Sequence, residues 1–391
     1  MSENLASAAV ASAHAAIDPV AAPLARLPLD ALHRSLGAKM APFAGYDMPL
    51  QYAAGIVAEH LHTRSKAGLF DVSHMGQAIL SGAGAGSALE TLVPGDLLGL
   101  APERVRYTQL LNDAGGVIDD LMATRLPGRD ERYMLVVNAA TKARDFAHIA
   151  QKLPDHRLQT LDRRALVALQ GPRAVDVLRT HLPGVEDMGF MSWRAFDIDG
   201  AGVYATRSGY TGEDGYEISI PVERVETFAR ALLAHEDVLP IGLGARDSLR
   251  LEAGLSLYGH ELDETINPVE AGLAWSIGKR RRAEGGFPGA ETIRSALRDG
   301  PQRVRVGLLP QSKAPVREGA EIVDAGGAVV GRVTSGGFSP TLSRPIALGL
   351  VAREFATDGA VLGADLRGRR VELVVAPTPF VPHRYAQKDV R

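Results

Sequence analysis

Cysteine is absent from this chain of 391 residues, which excludes a disulfide scaffold, a thiolate metal site and a cysteine nucleophile. No run of about 18 apolar residues occurs, so the sequence predicts no membrane-spanning helix. An excess of one charge is also missing, because 43 Lys and Arg against 46 Asp and Glu leave a net charge of −3. We therefore expect no nucleic-acid partner. His74 has no second histidine at metal-ligand spacing, so we expect no metal site either.

The first 25 residues, "MSENLASAAVASAHAAIDPVAAPLA", contain no Lys or Arg. A secretory signal needs a basic start, and a transit peptide needs Arg. We interpret residues 1–25 as an Ala-rich tail outside the core. With no transit peptide seen, we expect a cytoplasmic location, and the mitochondrial matrix only if the source is eukaryotic.

The middle of the chain mixes strand and helix patterns. Residues 105–126, "VRYTQLLNDAGGVIDDLMATRL", predict two strands joined by a Gly-rich turn, and residues 141–152 predict a helix. Residues 221–234, "PVERVETFARALLA", have apolar side chains at helical spacing. The order strand–helix–strand–strand–helix occurs twice. The predicted fold class is therefore α+β, with two units of ferredoxin-like type over residues 26–292.

The secondary-structure pattern of the sequence changes near residue 301. The stretches "VRVGLL", "GAVVGRVTSG", "IALGLV" and "RRVELVV" are short strand patterns separated by Gly and Pro turns. They predict a small C-terminal all-β barrel domain over residues 301–391. Residues 278–300 are charged and Gly-rich and are interpreted as a linker. Within them, "GKRRR" (278–282) is either a solvated face or a docking patch for an acidic partner.

Residues 208–220, "SGYTGEDGYEISI", place a glutamate inside a strand pattern. Because strand side chains alternate, Tyr216, Ile218 and Ile220 share one face, which should cover a core. Glu217 is on the other face, which lies either in solvent or against a pocket. A carboxylate in a pocket suits a flat ligand with two adjacent N–H groups. The pattern alone does not decide. The preceding strand should join this one in a hairpin over Asp214-Gly215.

Asp119 and Asp120 are adjacent on a predicted strand, so their side chains should point apart. They therefore do not form an acid/base dyad across one substrate. At most one of them serves a given pocket.

Seven stretches together resemble the aminomethyltransferase family, the T proteins of the glycine cleavage system. The resemblance extends from about Leu29 to Tyr385. The stretches are "FDVSHM" (70–75), "GGVIDDL" (115–121), "GYTGEDGYEI" (209–218), "GARDSLRLEAG" (244–254), "YGHELDE" (258–264), "NPVEAGLAW" (267–275) and "VTSGGFSPTL" (333–342).

The resemblance implies that the two α+β units form a folate cavity and that tetrahydrofolate is a co-substrate, with no metal. The partner is the lipoylated H protein, which carries an aminomethyl group on its dihydrolipoyl arm. The implied reaction transfers the carbon to tetrahydrofolate and releases ammonia. This is a step of glycine catabolism and one-carbon metabolism.

The resemblance also implies roles for individual residues. Asp120 matches the catalytic acid, and we expect Asp119→Asn to be much milder than Asp120→Asn. Glu217 matches the residue that holds the pterin, and Arg246 and Tyr385 match two further folate-binding residues. Other matched positions line the folate cavity: Met75, Tyr107, Asn138, Tyr210, Tyr258 and Trp275.

Two alternatives share this folate pocket. One is a folate-dependent demethylase. Its product would be methyl-tetrahydrofolate instead of methylene-tetrahydrofolate. The other is a non-enzymatic folate-binding protein of iron–sulfur assembly. That family carries a cysteine motif, and the lack of cysteine here argues against it.

Overall fold

The structure is a computed structural model that describes residues 23–366 and 369–386. Residues 1–22, and so most of the predicted tail 1–25, lie outside the described residues. Among the helices of the described residues, none combines the length and the apolar composition of a membrane span.

The described ranges contain both helices and strands. The helices are α1 (Asp30–Ser35), α2 (Ile56–Ser65), α3 (Ala85–Glu90), α4 (Lys142–Lys152), α5 (Ala174–Leu178), α6 (Val222–Leu233), α7 (Leu243–Glu252), α8 (Lys279–Glu284) and α9 (Ala290–Asp299). The strands are β1 (Ala25–Arg26), β2 (Lys39–Phe43), β3 (Tyr46–Gln51), β4 (Ala67–Asp71), β5 (Gly76–Ser81), β6 (Val105–Leu111), β7 (Val117–Arg125), β8 (Arg132–Val137), β9 (Arg157–Thr160), β10 (Arg164–Gln170), β11 (Trp193–Ile198), β12 (Ala201–Thr206), β13 (Gly215–Pro221), β14 (Val238–Pro240), β15 (Arg303–Pro310), β16 (Glu321–Val323), β17 (Val329–Ser339), β18 (Arg344–Ala352), β19 (Val361–Leu366) and β20 (Arg369–Ala376).

Among the described residues, the first of two compact units comprises 23–75, 161–250 and 382–386. Its main sheet has the order β11-β12-β13-β10-β4-β14, and a small sheet has the order β1-β3-β2. The alternation predicted for β13 is confirmed, because Tyr216, Ile218 and Ile220 are fully buried in the core of this unit. Apolar side chains of α5 and α6, such as Val177 and Phe228, pack in the same core.

The second unit comprises the described residues 76–160, 251–366 and 369–381. It contains an antiparallel sheet of order β6-β7-β8-β5-β9. It also contains the closed barrel β15-β18-β17-β16-β19-β20. Leu80, Leu121, Leu135 and Ile149 belong to the core of the five-stranded sheet, which includes one face of α4. The mixed α+β sheets and the closed barrel confirm the predicted fold class.

The predicted hairpin of β12 and β13 is confirmed, but its predicted turn over Asp214-Gly215 is wrong. β12 ends at Thr206 and β13 begins at Gly215, so residues 207–214 form a longer connection. The Gln170 amide holds this connection by donating to Ser208 O at 3.0 Å and accepting from Thr211 Oγ1 at 2.9 Å. A Cβ on Gly209 would come within 1.8 Å of Gln170 Oε1, so this approach requires glycine.

The predicted linker 278–300 is also wrong, because it contains α8 and α9. Arg280 donates to Glu90 Oε1 at 2.5 Å and to Asp96 Oδ1 at 2.8 Å. Arg281 is buried and donates to Glu90 O at 2.5 Å. The sequence "GKRRR" is therefore neither a solvated face nor a free docking patch, since two of its arginines fix α8 within its own unit.

Candidate active site

The predicted site residues are divided between the two units. The first unit contains Met75, Tyr210, Glu217, Arg246 and Tyr385, and the second contains Tyr107, Asp120, Asn138, Tyr258 and Trp275.

Glu217 is half-buried on the face of β13 opposite the core. Its Oε2 accepts a hydrogen bond from Ser208 Oγ at 2.7 Å, and Ser208 Oγ lies 2.8 Å from Thr206 Oγ1. The two hydroxyl groups orient the carboxylate from one side. Because each carboxylate oxygen has two acceptor positions, Glu217 keeps capacity for a further donor.

Arg246 lies on α7 close to Glu217. Its guanidinium carbon is 4.7 Å from the centre of the Tyr210 ring, a cation–π distance. Burial lowers the pKa of Arg246, while the charges of Tyr210 and Glu217 oppose this shift. The structure thus brings together Glu217, Arg246 and Tyr210. Their combination of a carboxylate, a planar cation and an aromatic ring suits a flat, polar heterocycle.

Tyr385 has different neighbours. Its ring stacks on Phe190 with centroids 4.3 Å apart and an interplanar angle of 13°. Burial raises the pKa of the Tyr385 hydroxyl to about 12. Met75 is half-buried, and its N–H donates to Val72 O at 3.0 Å. In the described part of the chain, neither Met75 nor Tyr385 hydrogen-bonds Glu217.

The segment that carries Tyr385 is fixed by a buried ion cluster. Glu213 Oε1 accepts from Arg64 Nη1 at 2.8 Å and from Arg384 Nη2 at 2.5 Å. Glu213 is fully buried, Arg64 is nearly so, and the Arg384 side chain is 51% exposed. Arg384 also donates to Gly212 O and Arg64 O, each at 2.7 Å. The cluster therefore ties the C-terminal segment to the connection before β13.

In the second unit, both carboxylate oxygens of Asp120 accept side-chain hydrogen bonds. Tyr107 donates its hydroxyl to Oδ2 at 2.9 Å, and Asn138 donates Nδ2 to Oδ1 at 2.7 Å. Tyr107 lies on β6, which pairs with β7 so that Gln109 is opposite Asp120. Asn138 follows the last residue of β8, the other neighbour of β7. The sheet register therefore places both donors beside Asp120.

Two more carboxylates lie behind Asp120. Asp119 and Asp145 are both fully buried. Burial, followed by the charge of Asp119, raises the pKa of Asp120 to about 7, against hydrogen bonds from Tyr107 and Asn138 that lower it. Burial and the neighbouring carboxylate of Asp145 raise the pKa of Asp119 in turn. The predicted divergence is visible in burial, because Asp119 is fully buried and Asp120 only partly.

Tyr258 and Trp275 complete the group in the second unit. Arg144 Nη2 donates to the Tyr258 hydroxyl at 3.0 Å, and Arg144 Nη1 donates to Glu264 Oε1 at 2.6 Å. Trp275 is 63% exposed and stacks on Tyr107 with centroids 5.5 Å apart. Tyr107 therefore connects an aromatic surface to the carboxylate of Asp120.

The sequence patterns missed three polar residues around these groups: Ser208, Arg144 and Asp145. Ser208 stands in the quoted stretch, but its contact with Glu217 depends on the shape of the connection 207–214. Arg144 and Asp145 begin a helix in which polar residues are expected on the surface, and nothing in that pattern distinguishes a buried aspartate. Among the described residues, no group of His, Cys, Asp and Glu is arranged to hold a metal ion.

Comparison with known proteins gives consistent matches along the chain. Residues 29–281 match the family described as GCVT N-terminal domain. Residues 303–382 match the glycine cleavage T-protein C-terminal barrel domain. The crystal structure of glycine cleavage system aminomethyltransferase T from Bartonella henselae has a TM-score of 0.89 and 42% identity. It covers 93% of this chain, and this chain covers all of it (100%).

Curated relatives give the same result. A pea protein, Pisum sativum, named "Aminomethyltransferase, mitochondrial", is 46% identical over 365 residues, which are 90% of this chain and 88% of the relative. A protein of the same name from Dictyostelium discoideum is 41% identical over 381 residues, with 93% and 94% covered. These names favour neither the demethylase nor the iron–sulfur assembly protein. The expected cytoplasmic location is wrong, because the relatives are named mitochondrial.

Proposed function

Because the chain belongs to the aminomethyltransferase family, the T proteins of the glycine cleavage system, we propose that it acts on an aminomethyl group carried by the dihydrolipoyl arm of a lipoylated H protein. The carbon is transferred to tetrahydrofolate, giving 5,10-methylenetetrahydrofolate. The carbon–sulfur and carbon–nitrogen bonds break, so the arm is left as a thiol and ammonia is released.

We further propose a division of the chain into the tail 1–25, a folate-binding region over 26–292 and a barrel domain over 301–391. Glu217, Arg246 and Tyr385 bind folate in this proposal. Met75, Tyr107, Asn138, Tyr210, Tyr258 and Trp275 are assigned to the lining of the folate cavity.

The residues of the first unit fit a pterin. A pterin edge presents a ring N–H beside an amino group, and the half-buried carboxylate of Glu217 can accept from both. Ser208 donates to Oε2 of Glu217, and within residues 23–366 and 369–386 no hydrogen bond reaches the other oxygen, which can accept from the ligand. Arg246 stacked on Tyr210 supplies a planar cation beside this carboxylate. These residues bind and orient the co-substrate.

In this proposal Asp120 is the residue that takes up and releases the proton during the reaction. Bound tetrahydrofolate supplies the amine nitrogens that accept the carbon. The supporting observation is the Asp120 carboxylate, which Tyr107 and Asn138 hold at both oxygens and whose pKa is raised to about 7. A base is most effective when its pKa lies near the working pH. Asp120 can therefore hold a proton at neutral pH and release it again.

The direct test is a folate-dependent ammonia-release assay with aminomethylated H protein. We expect ammonia and methylenetetrahydrofolate in equal amounts. Methyl-tetrahydrofolate as the product would instead identify a demethylase. If the folded protein binds folate but releases no ammonia, the proposed reaction is wrong.

The turnover should depend on pH through Asp120. The carboxylate is the form that takes up a proton, and its pKa is raised to about 7. Turnover should therefore be full above that pH and fall about tenfold for each pH unit below it. Rates measured from pH 5 to pH 9, with folate saturating at each pH, would reveal this fall in turnover, the acid limb of the profile. A profile that is flat between pH 5 and pH 7 would contradict the assignment.

Replacement of Glu217 by Ala should weaken folate binding by about 10–100-fold, because it removes hydrogen bonds to a charged acceptor. Folding should change little, since Glu217 is only half-buried. Arg246→Ala should act in the same direction. Folate is titrated against each folded variant by calorimetry. The control is Glu226→Ala on α6, a glutamate of the same unit that is ion-paired with Arg230 at the surface. Unchanged affinity in both site variants would reject the pterin assignment.

A further inference from the structure

Asp119 is a carboxylate inside an apolar core. It is fully buried, and its neighbours on the same side of β7, Val117, Leu121 and Ala123, are buried too. Burying a carboxylate is costly unless hydrogen bonds compensate for the lost water. Asn138 gives Asp119 two such bonds, the backbone N–H to Oδ2 at 3.0 Å and Nδ2 to Oδ1 at 2.9 Å. The carboxyl group of Asp145 also interacts with Asp119. The position of Asn138 therefore depends on Asp119.

Asn138 contacts both aspartates at once. Its side-chain nitrogen, which carries two N–H donors, lies 2.9 Å from Asp119 Oδ1 and 2.7 Å from Asp120 Oδ1. The opposite amide orientation would direct the carbonyl oxygen at two acceptors, so the two carboxylates fix which way the amide faces. Asn138 cannot rotate away from one aspartate without also losing the other.

The sequence pattern predicts that the side chains of Asp119 and Asp120 point apart. One amide nevertheless joins them, because Asn138 Nδ2 donates to an oxygen of each. Tyr107 holds the second oxygen of Asp120 at 2.9 Å. Asp120 is thus held from two sides, and one of the two donors is itself held by Asp119.

We propose that Asp119 is a positioning residue that keeps Asp120 in its reactive orientation through the side-chain amide of Asn138. The inference rests on the proposed proton transfer by Asp120. Asp119 itself touches no reacting atom in this scheme, because Asn138 stands between it and the Asp120 oxygen.

The main test is Asp119→Asn. An asparagine has one acceptor oxygen, and its own N–H groups would face the donors of Asn138, so one of the two bonds is lost. We expect turnover to fall about 10–100-fold, as for a small misplacement of a catalytic group, with folate affinity unchanged. The effect stays smaller than that of Asp120→Asn. Asp113→Asn is the matched control, because Asp113 lies exposed in the turn between β6 and β7, and we expect near-normal turnover from it.

A purely structural role would not change the pH profile. Asp120 faces Tyr107 from β6 and the charge of Asp119 on its own strand. Asp119 faces Asp145 of α4 and also interacts with Tyr258, while Arg144 acts on Asp145. Because the charge of Asp119 raises the pKa of Asp120, its removal should shift the acid limb of the rate profile to lower pH. An unshifted limb in Asp119→Asn would contradict the inference.

A double-mutant cycle tests the route through the amide. If Asp119 acts through Asn138, adding Asp119→Asn to Asn138→Ser should cost no further turnover. Fully additive losses would overturn the inference.

If Asp119→Asn does not fold, Asn138→Ser alone decides, because serine cannot reach both carboxylates. Full turnover in that variant would reject the inference. Normal turnover in folded Asp119→Asn, with Asp120→Asn inactive, would reject the positioning role alone. Normal turnover in Asp120→Asn would reject the proposed function instead.

Discussion

Replacement of Asp120 by Asn should reduce turnover by about 10²–10⁴-fold, the usual contribution of a general acid or base. Asparagine keeps the size of the side chain but cannot take up a proton as a carboxylate does. Folate affinity should stay near normal, because the proposed pterin ligands Glu217 and Arg246 are unchanged. The measurement compares the folate-dependent release of ammonia at saturating folate with the dissociation constant for folate of the same preparation.

The control for this substitution is Asp113→Asn. Asp113 lies exposed in the turn of the same hairpin, so the chemical change is identical and the site is untouched. We expect wild-type turnover from it. The residual activity of Asp120→Asn should also lack the acid limb near pH 7. Turnover within a few-fold of wild type in Asp120→Asn would remove Asp120 from the mechanism.

Replacement of Glu213 by Ala should destabilise the protein by about 3–5 kcal/mol, the cost of removing one partner of a buried ion pair. Glu213 is fully buried, and its main partner Arg64 is nearly so. Without the carboxylate, the buried Arg64 guanidinium loses its counter-charge. The free energy of unfolding is measured by urea denaturation, followed by circular dichroism.

Two variants separate this effect from the loss of a surface pair. Arg384→Ala removes the other cation, whose side chain is 51% exposed, and should cost about 1 kcal/mol or less. Glu226→Ala removes a glutamate from an exposed pair with Arg230 on α6 and should cost no more than about 0.5 kcal/mol. A Glu213→Ala variant as stable as Glu226→Ala would show that the buried cluster contributes little.

Local patterns were sufficient for much of the fold. The hairpin of β6 and β7 and the core face of β13 follow from alternation and Gly-rich turns. The helix α6 follows from apolar spacing. The short strands β16 and β19 were missed because three to six residues between turns carry little periodic signal. α8 was missed because its arginines bind partners far away in sequence, such as Glu90.

In the candidate site, too, local patterns predict some contacts and miss those between residues that are distant in sequence. The sequence places Asp120 on a strand with Tyr107 on its hairpin partner, so their contact follows from the register. The contact of Asn138 with both aspartates depends on β8, whose place beside β7 does not follow from local sequence patterns. The burial of Glu213 is the feature of the site that the sequence pattern indicates least. An acid in a turn is ordinarily solvated, and its burial depends on Arg64 and Arg384.

The ion cluster of Glu213 also has a consequence for synthesis on the ribosome. Arg384 comes 171 residues after Glu213 and 320 residues after Arg64. At translation rates of about 5–20 residues per second, roughly 9–34 s separate the appearance of Glu213 from that of Arg384. During this interval Glu213 has Arg64 as its only cation from the cluster. The first unit, although it contains the earliest described residues, can therefore be completed only after the whole barrel sequence has been translated.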